Sequence, residues 1–361
     1  MGIHLMTGFP GFIASQLVRQ LLKDGVTNQI FAVVLATEMD KARQDIQAIE
    51  AQFPNCKIEL LEGDITLPNL GIDNAELELI RPRMNVFWHL AAIYDLAVPR
   101  DVAWKVNVHG TDLVNEFVAT LPNLHRYMYF STAFVAGRRT GIISEHELVK
   151  PLSFKNYYEE TKYEAELLVD DLKKVIPLTI IRPGIVQGHS ETGETAKFDG
   201  PYFLLNMIDT LKGLPFLPFV GRKTSKLNVV PIDYVTKACS YLCTSPSAQG
   251  KTLHITDPSP YTVYEIYDAM VKEMTTKRTF GRLPVFLTRS LLSKMSIRQK
   301  LGVEYETLEY LTWQATFDCT DAQQILSEVG ISCPDFLATL PKMVAFYNEH
   351  KHCKEFIVPV K

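Results

Sequence analysis

Tyr158 and Lys162 stand four residues apart in Tyr158-Glu-Glu-Thr-Lys162, and on a helix that spacing puts both side chains on one face. A lysine ammonium beside a phenol favours the phenolate, so the pair predicts a tyrosine pKa pulled below its usual value of about 10. Such a tyrosine can give a proton to a carbonyl oxygen as a hydride arrives, or take one in reverse. A second pair of the same form, Tyr347-x-x-x-Lys351, lies near the C-terminal end. What separates them is context. Tyr158 follows the strand-like run MYFSTAFVAG, which reaches Ser131-Thr132, and Tyr347 has no such strand before it. Thr132 at a strand's carboxyl end can present its hydroxyl to the same carbonyl. Asn107, in VNVHGT, can help hold the lysine through backbone or water contacts. Strand-end hydroxyls and helix-capping asparagines are common, so each residue alone reads either way. Their order and spacing together point to one site.

A second constellation sits at the start of the chain. Gly8-x-x-Gly11-x-x-Ala14 follows a strand and opens a helix. Gly8 can make a turn that a side chain would obstruct, Gly11 lets backbone approach a pyrophosphate, and Ala14 allows close helix–strand packing. The helix N-terminus then offers free N–H groups to phosphates. The competing reading is a tight turn that happens to be glycine-rich. Gly63-Asp64 ends the third strand, where the acid can accept from an adenine amino group or simply form a turn. Ala91 and Ala92 end the fourth, where small residues leave room for a cofactor or for close packing.

These residues need a scaffold. Apolar runs predict strands at 2–6, 29–35, 57–62, 84–90, 125–131 and 178–182, with amphipathic helices between, such as 13–23, 41–52 and 106–120. Continuous apolar strands alternating with helices predict an α/β fold, a doubly wound parallel sheet covered on both faces. After about Gly184 the rhythm weakens into GPYFLLNMIDTLKGLPFLPFVG. The division predicted is a Rossmann domain over 1–185 and a smaller substrate lobe over 186–361, with 227–230 and 251–256 as candidates to return to the main sheet.

Composition narrows the classes. The chain has 361 residues, 47% hydrophobic and 22% charged, with a formal net charge of -4, which gives no case for nucleic acid. Its six cysteines form no CxxC pair and suggest neither a zinc knuckle nor a disulfide framework, and the expected location is a reducing cytosol. No leader is visible, and no apolar run reaches the roughly 18 residues a bilayer span needs. His89 and His189 lack a second ligand at metal-binding spacing, so no metal is expected.

Taken in order, TGFPGFIA, GDIT, HLAA, NVHGT, FSTAFVAG, YEETK and IRPGIVQG resemble an extended short-chain dehydrogenase/reductase. The resemblance implies a Rossmann fold, a nicotinamide cofactor and an active site of Thr132, Tyr158 and Lys162 with Asn107. It implies cofactor contacts at Thr7, Gly8, Phe9, Pro10, Gly11, Phe12, Ile13, Asp64, Ile65, Ala91, Ala92, Tyr158, Lys162, Pro183, Gly184 and Val186. A dimer is compatible with it.

SETGETAKFDGPYFLLNMI and KLNVVPIDYV are similar to the thioester reductase and fatty acyl-CoA reductase branch, also called male-sterility-like. That resemblance implies reduction of an acyl thioester, on CoA or an acyl carrier protein, to aldehyde or alcohol. The alternative is a sugar-nucleotide epimerase or dehydratase, or a hydroxy or keto dehydrogenase. A non-catalytic regulatory protein is a third class, although such proteins often lose the tyrosine or lysine. Where the branch carries an arginine after the second strand, this chain has Leu35. Lys41 or Arg43 could replace it for NADP, the favoured cofactor, while Glu38 or Asp40 would suit NAD. LKGLPFLPFVG is a candidate wall for an acyl chain, or core packing of the lobe. Residues 274–303 hold seven Lys/Arg (Lys277, Arg278, Arg282, Arg289, Lys294, Arg298, Lys300) and no acid. That stretch could face an anionic membrane, CoA phosphates, an acidic carrier or plain solvent.

Overall fold

The protein is described by a computed structural model covering residues 2–95 and 97–360. Seven strands make the central sheet: β1 (Ile3–Thr7), β2 (Gln29–Val34), β3 (Lys57–Glu62), β4 (Met84–His89), β5 (Arg126–Phe130), β6 (Leu178–Pro183) and β7 (Thr252–Ile255). They lie in the order β7-β6-β5-β4-β1-β2-β3, and every pairing is parallel. Strand order reverses between β1 and β4, which opens a crevice at their carboxyl ends.

Ten helices matter here: α1 (Phe12–Lys23), α2 (Met39–Gln52), α3 (Gly110–Ala119), α4 (Tyr157–Asp170), α5 (Tyr202–Leu211), α6 (Ile232–Leu242), α7 (Val263–Met274), α8 (Val285–Leu292), α9 (Met295–Leu301) and α10 (Phe336–His350). α1 buries Ala14, Leu17, Val18 and Leu21, the i, i+3, i+4, i+7 stripe of a helix lying on a sheet. With α2 and α6 it covers one sheet face. α3 and Val169 of α4 cover the other.

A second apolar core forms the lobe. Phe203, Leu204, Leu205 and Ile208 of α5 pack with Ile266, Tyr267 and Met270 of α7 and with Leu340, Met343 and Val344 of α10. The chain beyond residue 186 serves both cores. β7 pairs with β6, and Ala322, Ile325 and Leu326 join the sheet-side cluster. The segment 227–230 does not return to the main sheet. Val229–Pro231 pairs instead with Ile185–Gln187 in a two-stranded sheet, because β7 already occupies the edge of β6. The LKGLPFLPFVG stretch is core and surface rather than cavity wall. Leu217, Phe219 and Val220 are buried in a strand that pairs with Thr279–Leu283, while Leu214 and Phe216 face solvent.

Candidate active site

The turn after β1 is shaped by glycine. Gly8 has φ +91, and a Cβ there would lie 2.7 Å from the Ala91 backbone nitrogen. A Cβ on Gly11 would lie 2.7 Å from the Gly8 carbonyl oxygen. Gly11 is the N-cap of α1, and no side chain caps that helix, so its first N–H groups are available to a phosphate.

This turn opens on a cavity of about 500 Å³. Gly8, Gly11, Phe12, Ile13, Ala14, Leu90, Ala91 and Ala92 form part of its wall. Thr132, Tyr158, Lys162, Pro183, Gly184 and Val186 form another part. The lobe adds Phe203, Leu204, Leu227, Tyr310 and Leu311. The turn is one that only glycine can make, and with the uncapped start of α1 it suits a dinucleotide's phosphates. The structure thus brings the Tyr-Lys pair, Thr132 and the glycine turn around one space.

Five expected cofactor residues lie off this wall. Thr7 is buried, bonding its Oγ1 to His89 Nδ1 at 2.8 Å and accepting from the Ala91 N–H at 3.3 Å. Phe9 and Pro10 are buried, Phe9 within the sheet-side core, and the peptide between them is cis. Ile65 packs against Gly110. Asp64 Oδ1 accepts from the Thr66 N–H at 2.8 Å, a turn-forming bond.

The helix carrying the pair is fixed at its first turn. Asn156 caps α4 by accepting from the Glu159 N–H. The buried Lys155 ammonium pairs with Glu159 Oε1 at 3.1 Å and lies 3.7 Å from the centre of the Trp313 ring. Tyr310 Oη donates to Glu159 Oε1 at 2.8 Å. These contacts tie the lobe to the turn that presents Tyr158.

The Thr132 hydroxyl lies beside the Tyr158 phenol and favours its ionised form. The Tyr158 ring meets Tyr94 edge-on at 5.0 Å between centroids. Burial pushes the phenol pKa well above its usual value, with the Thr132 hydroxyl opposing. This reverses the expected lowering by lysine. Lys162 Nζ instead donates to the Phe130 carbonyl oxygen at 2.6 Å and to Tyr129 Oη at 3.0 Å. Burial pulls the Lys162 pKa down to about 7, and Glu166 opposes that pull.

The direct side-chain bonds of Asn107 go elsewhere than to the lysine. Asn107 lies in a wide helical turn, Trp104–His109, just before α3. Its Oδ1 accepts from the Ile93 N–H at 2.8 Å, and its Nδ2 donates to Thr161 Oγ1 at 3.0 Å. It therefore fastens the segment after β4 to α4. Lys162 Nζ bonds toward β5 instead.

Sequence reasoning missed the support beneath this site. Arg182 Nη2 meets Glu166 Oε1 at 2.6 Å, and Ser131 Oγ donates to Glu166 Oε2 in a short bond. The signal was present, since Tyr158, Lys162 and Glu166 continue one i, i+4 stripe. His89 bridges Thr7 and, at 3.1 Å, Thr111, and burial holds it near pKa 3, neutral. Among the described residues no group of His, Cys, Asp and Glu could hold a metal ion. The pair Tyr347 and Lys351 serves architecture: Tyr347 Oη donates to Asn206 Oδ1 at 2.9 Å and Lys351 Nζ binds Asp209 at 2.6 Å.

The parallel sheet, the glycine turn at the strand reversal and the Tyr-x-x-x-Lys helix define an NAD(P)-binding protein of the extended short-chain dehydrogenase/reductase class. Within that class, the chain belongs to the male sterility protein family, whose sequence model matches residues 6–239. It is 27% identical over 272 residues to the fatty acyl-CoA reductase wat of Drosophila melanogaster, covering 64% of this chain and 52% of that protein. It is 26% identical over 272 residues to the non-canonical nonribosomal peptide synthetase cpsA of Aspergillus campestris, covering 70% of this chain and 25% of that one. The chain thus spans from a quarter to about half the length of these relatives. The terminal R domain of the myxalamid PKS-NRPS biosynthetic pathway superposes with a TM-score of 0.81 at 25% identity, covering 98% of this chain and 92% of that one.

Proposed function

We propose that this chain reduces acyl thioesters with a nicotinamide cofactor. The observation that carries the reading is the Thr132–Tyr158 hydroxyl pair on the wall of a cavity that also holds the glycine turn and the apolar side chains of the lobe. The likeness to a fatty acyl-CoA reductase and to a terminal R domain supports it.

Gly8, Gly11 and the first turn of α1 would hold the pyrophosphate, and the bound nicotinamide would supply a hydride. Thr132 and Tyr158 would bind the thioester carbonyl oxygen by two hydroxyl donors. Because burial keeps Tyr158 protonated, its phenol can give its proton to that oxygen as negative charge develops there. The oxygen returns the proton to Tyr158 as the carbon–sulfur bond breaks, and the thiolate takes a proton from water. The products are an aldehyde, a free thiol and the oxidised cofactor. Phe203, Leu204, Leu227 and Leu311 would shelter the acyl chain.

For the cofactor, NADPH is favoured. Lys41 lies on the cavity wall, whereas Leu35 faces solvent and Asp40 is engaged with Arg43 at 3.0 Å. The acyl group would ride on CoA or a carrier protein. All six cysteines are free, which suits a reducing cytosol.

The test is oxidation of NADPH and NADH by purified protein with medium- and long-chain acyl-CoAs. Acyl-CoA-dependent oxidation with matching thiol release supports the reading. Lys41→Glu should then raise the KM for NADPH about tenfold, a loss of about 1.4 kcal/mol, and leave NADH nearly unchanged. Cofactor binding without oxidation by any thioester contradicts the reading.

A further inference from the structure

We propose that the surface built by residues 279–301 is a docking face for an anionic lipid bilayer. The strand Thr279–Leu283 leads through Pro284 into α8 and then α9 on the outside of the lobe. Of α8, only Thr288 and Leu292 are buried. At about 100° per residue, Phe286, Leu287 and Ser290 fall on the opposite, outward side, and Leu291 lies on the flank. Phe286 is 76% exposed, and Leu287 and Leu291 are also exposed. Met295, which opens α9, is exposed too. Phe280 is 69% exposed, and its ring centroid lies 5.8 Å from that of half-exposed Phe216. Single exposed apolar residues are ordinary, but a run of large ones along one segment marks an interaction surface.

The charge within this segment has one sign. Residues 274–303 carry seven Lys/Arg and no acid. Arg289 pairs with Glu309, whereas Arg278, Lys294 and Lys300 have no ion pair among the described residues. Large apolar side chains flanked by unpaired cations match the boundary of an anionic bilayer, where rings enter the acyl region and ammonium groups meet phosphates. An acidic protein would satisfy the cations but leave most of the outward Phe and Leu surface in water. The face also connects to the cavity. α9 lies against α5, with Asn206 Nδ2 donating to the Gly302 carbonyl oxygen at 3.0 Å and Thr210 Oγ1 to that of Lys300 at 3.2 Å. Phe203 and Leu204 of α5 line the cavity. Docking would therefore set the lobe wall close to membrane-dissolved acyl chains.

The test is co-sedimentation of the full chain with vesicles of phosphatidylcholine, with and without phosphatidylglycerol, at low and high salt. The expected result is binding only to vesicles containing phosphatidylglycerol, weakened by salt. Phe286→Glu with Leu291→Glu should weaken it by at least about tenfold, and Lys294→Glu with Lys300→Glu should do the same. Both variants should melt as the parent does, since the altered side chains are exposed. Failure of the parent to sediment with the anionic vesicles overturns the proposal, as does undiminished binding by both variants. So does capture of an acidic acyl carrier protein without vesicle binding, which would assign the face to a carrier.

Discussion

Lys162 Nζ donates to the Phe130 carbonyl oxygen at 2.6 Å, which fastens α4 to the end of β5 two residues before Thr132. The lysine thus sets the distance between the two elements that carry the hydroxyl pair. Glu166, one turn further along α4, binds Arg182 of β6 and Ser131. A single helix face therefore joins Tyr158, the lysine and a buried ion pair, and β5 and β6 are tied to it.

Tyr158→Phe keeps the ring contact with Tyr94 and removes the proton. Turnover should fall about 10²–10⁴-fold, the usual contribution of a positioned acid. Cofactor affinity, read by titration of protein fluorescence, should stay within about twofold, a few tenths of a kcal/mol. Unchanged turnover would remove Tyr158 from its role.

Lys162→Met should show itself in both activity and the pH dependence of stability. Burial lowers the folded pKa of Lys162 to about 7 from its ordinary 10.5, so between those values the unfolded chain holds more protons than the folded one. The site's contribution to stability therefore rises as pH climbs from 7 toward 10.5 and is smallest below 7. The stability of the parent relative to the variant should rise over that window, by at most about 1.4 kcal/mol per pH unit. Denaturant midpoints measured between pH 6 and 10 read this directly. A gap that stays constant would mean that the ammonium is not buried.

Much of the sheet was legible because its strands are short apolar runs cut by helices. The strands expected at 57–62 and 178–182 appear as Lys57–Glu62 and Leu178–Pro183. The lobe was less legible. LPFLPFV has the same composition whether it lines a cavity or fills a core, and a non-local partner, Thr279–Leu283, decides between them. The site divides in the same way. Tyr158 and Lys162 were visible as an i, i+4 pair, but the lysine's partners are a backbone carbonyl and Tyr129, which no spacing reveals. Asp64 makes a turn-forming bond to the Thr66 N–H, which its residue type allowed but did not show.

Glu166→Gln leaves the buried Arg182 guanidinium without its carboxylate. Breaking one side of such a pair costs about 3–5 kcal/mol, so the unfolding midpoint should drop sharply. Replacing both partners, as Glu166→Leu with Arg182→Met, should recover most of that loss. A loss as large in the double variant as in the single one would show that the carboxylate acts through Ser131 instead.

The most direct measurement follows the hydride itself. Purified protein would be mixed with NADPH deuterated at the transferable position of the nicotinamide and with a long-chain acyl-CoA. The expected product is an aldehyde with one deuterium on its former carbonyl carbon or, after a second transfer, an alcohol with two there, together with one free thiol per acyl group reduced. Oxidised cofactor with no deuterium in the acyl product, or no thiol released, would contradict thioester reduction at the Thr132–Tyr158 pair.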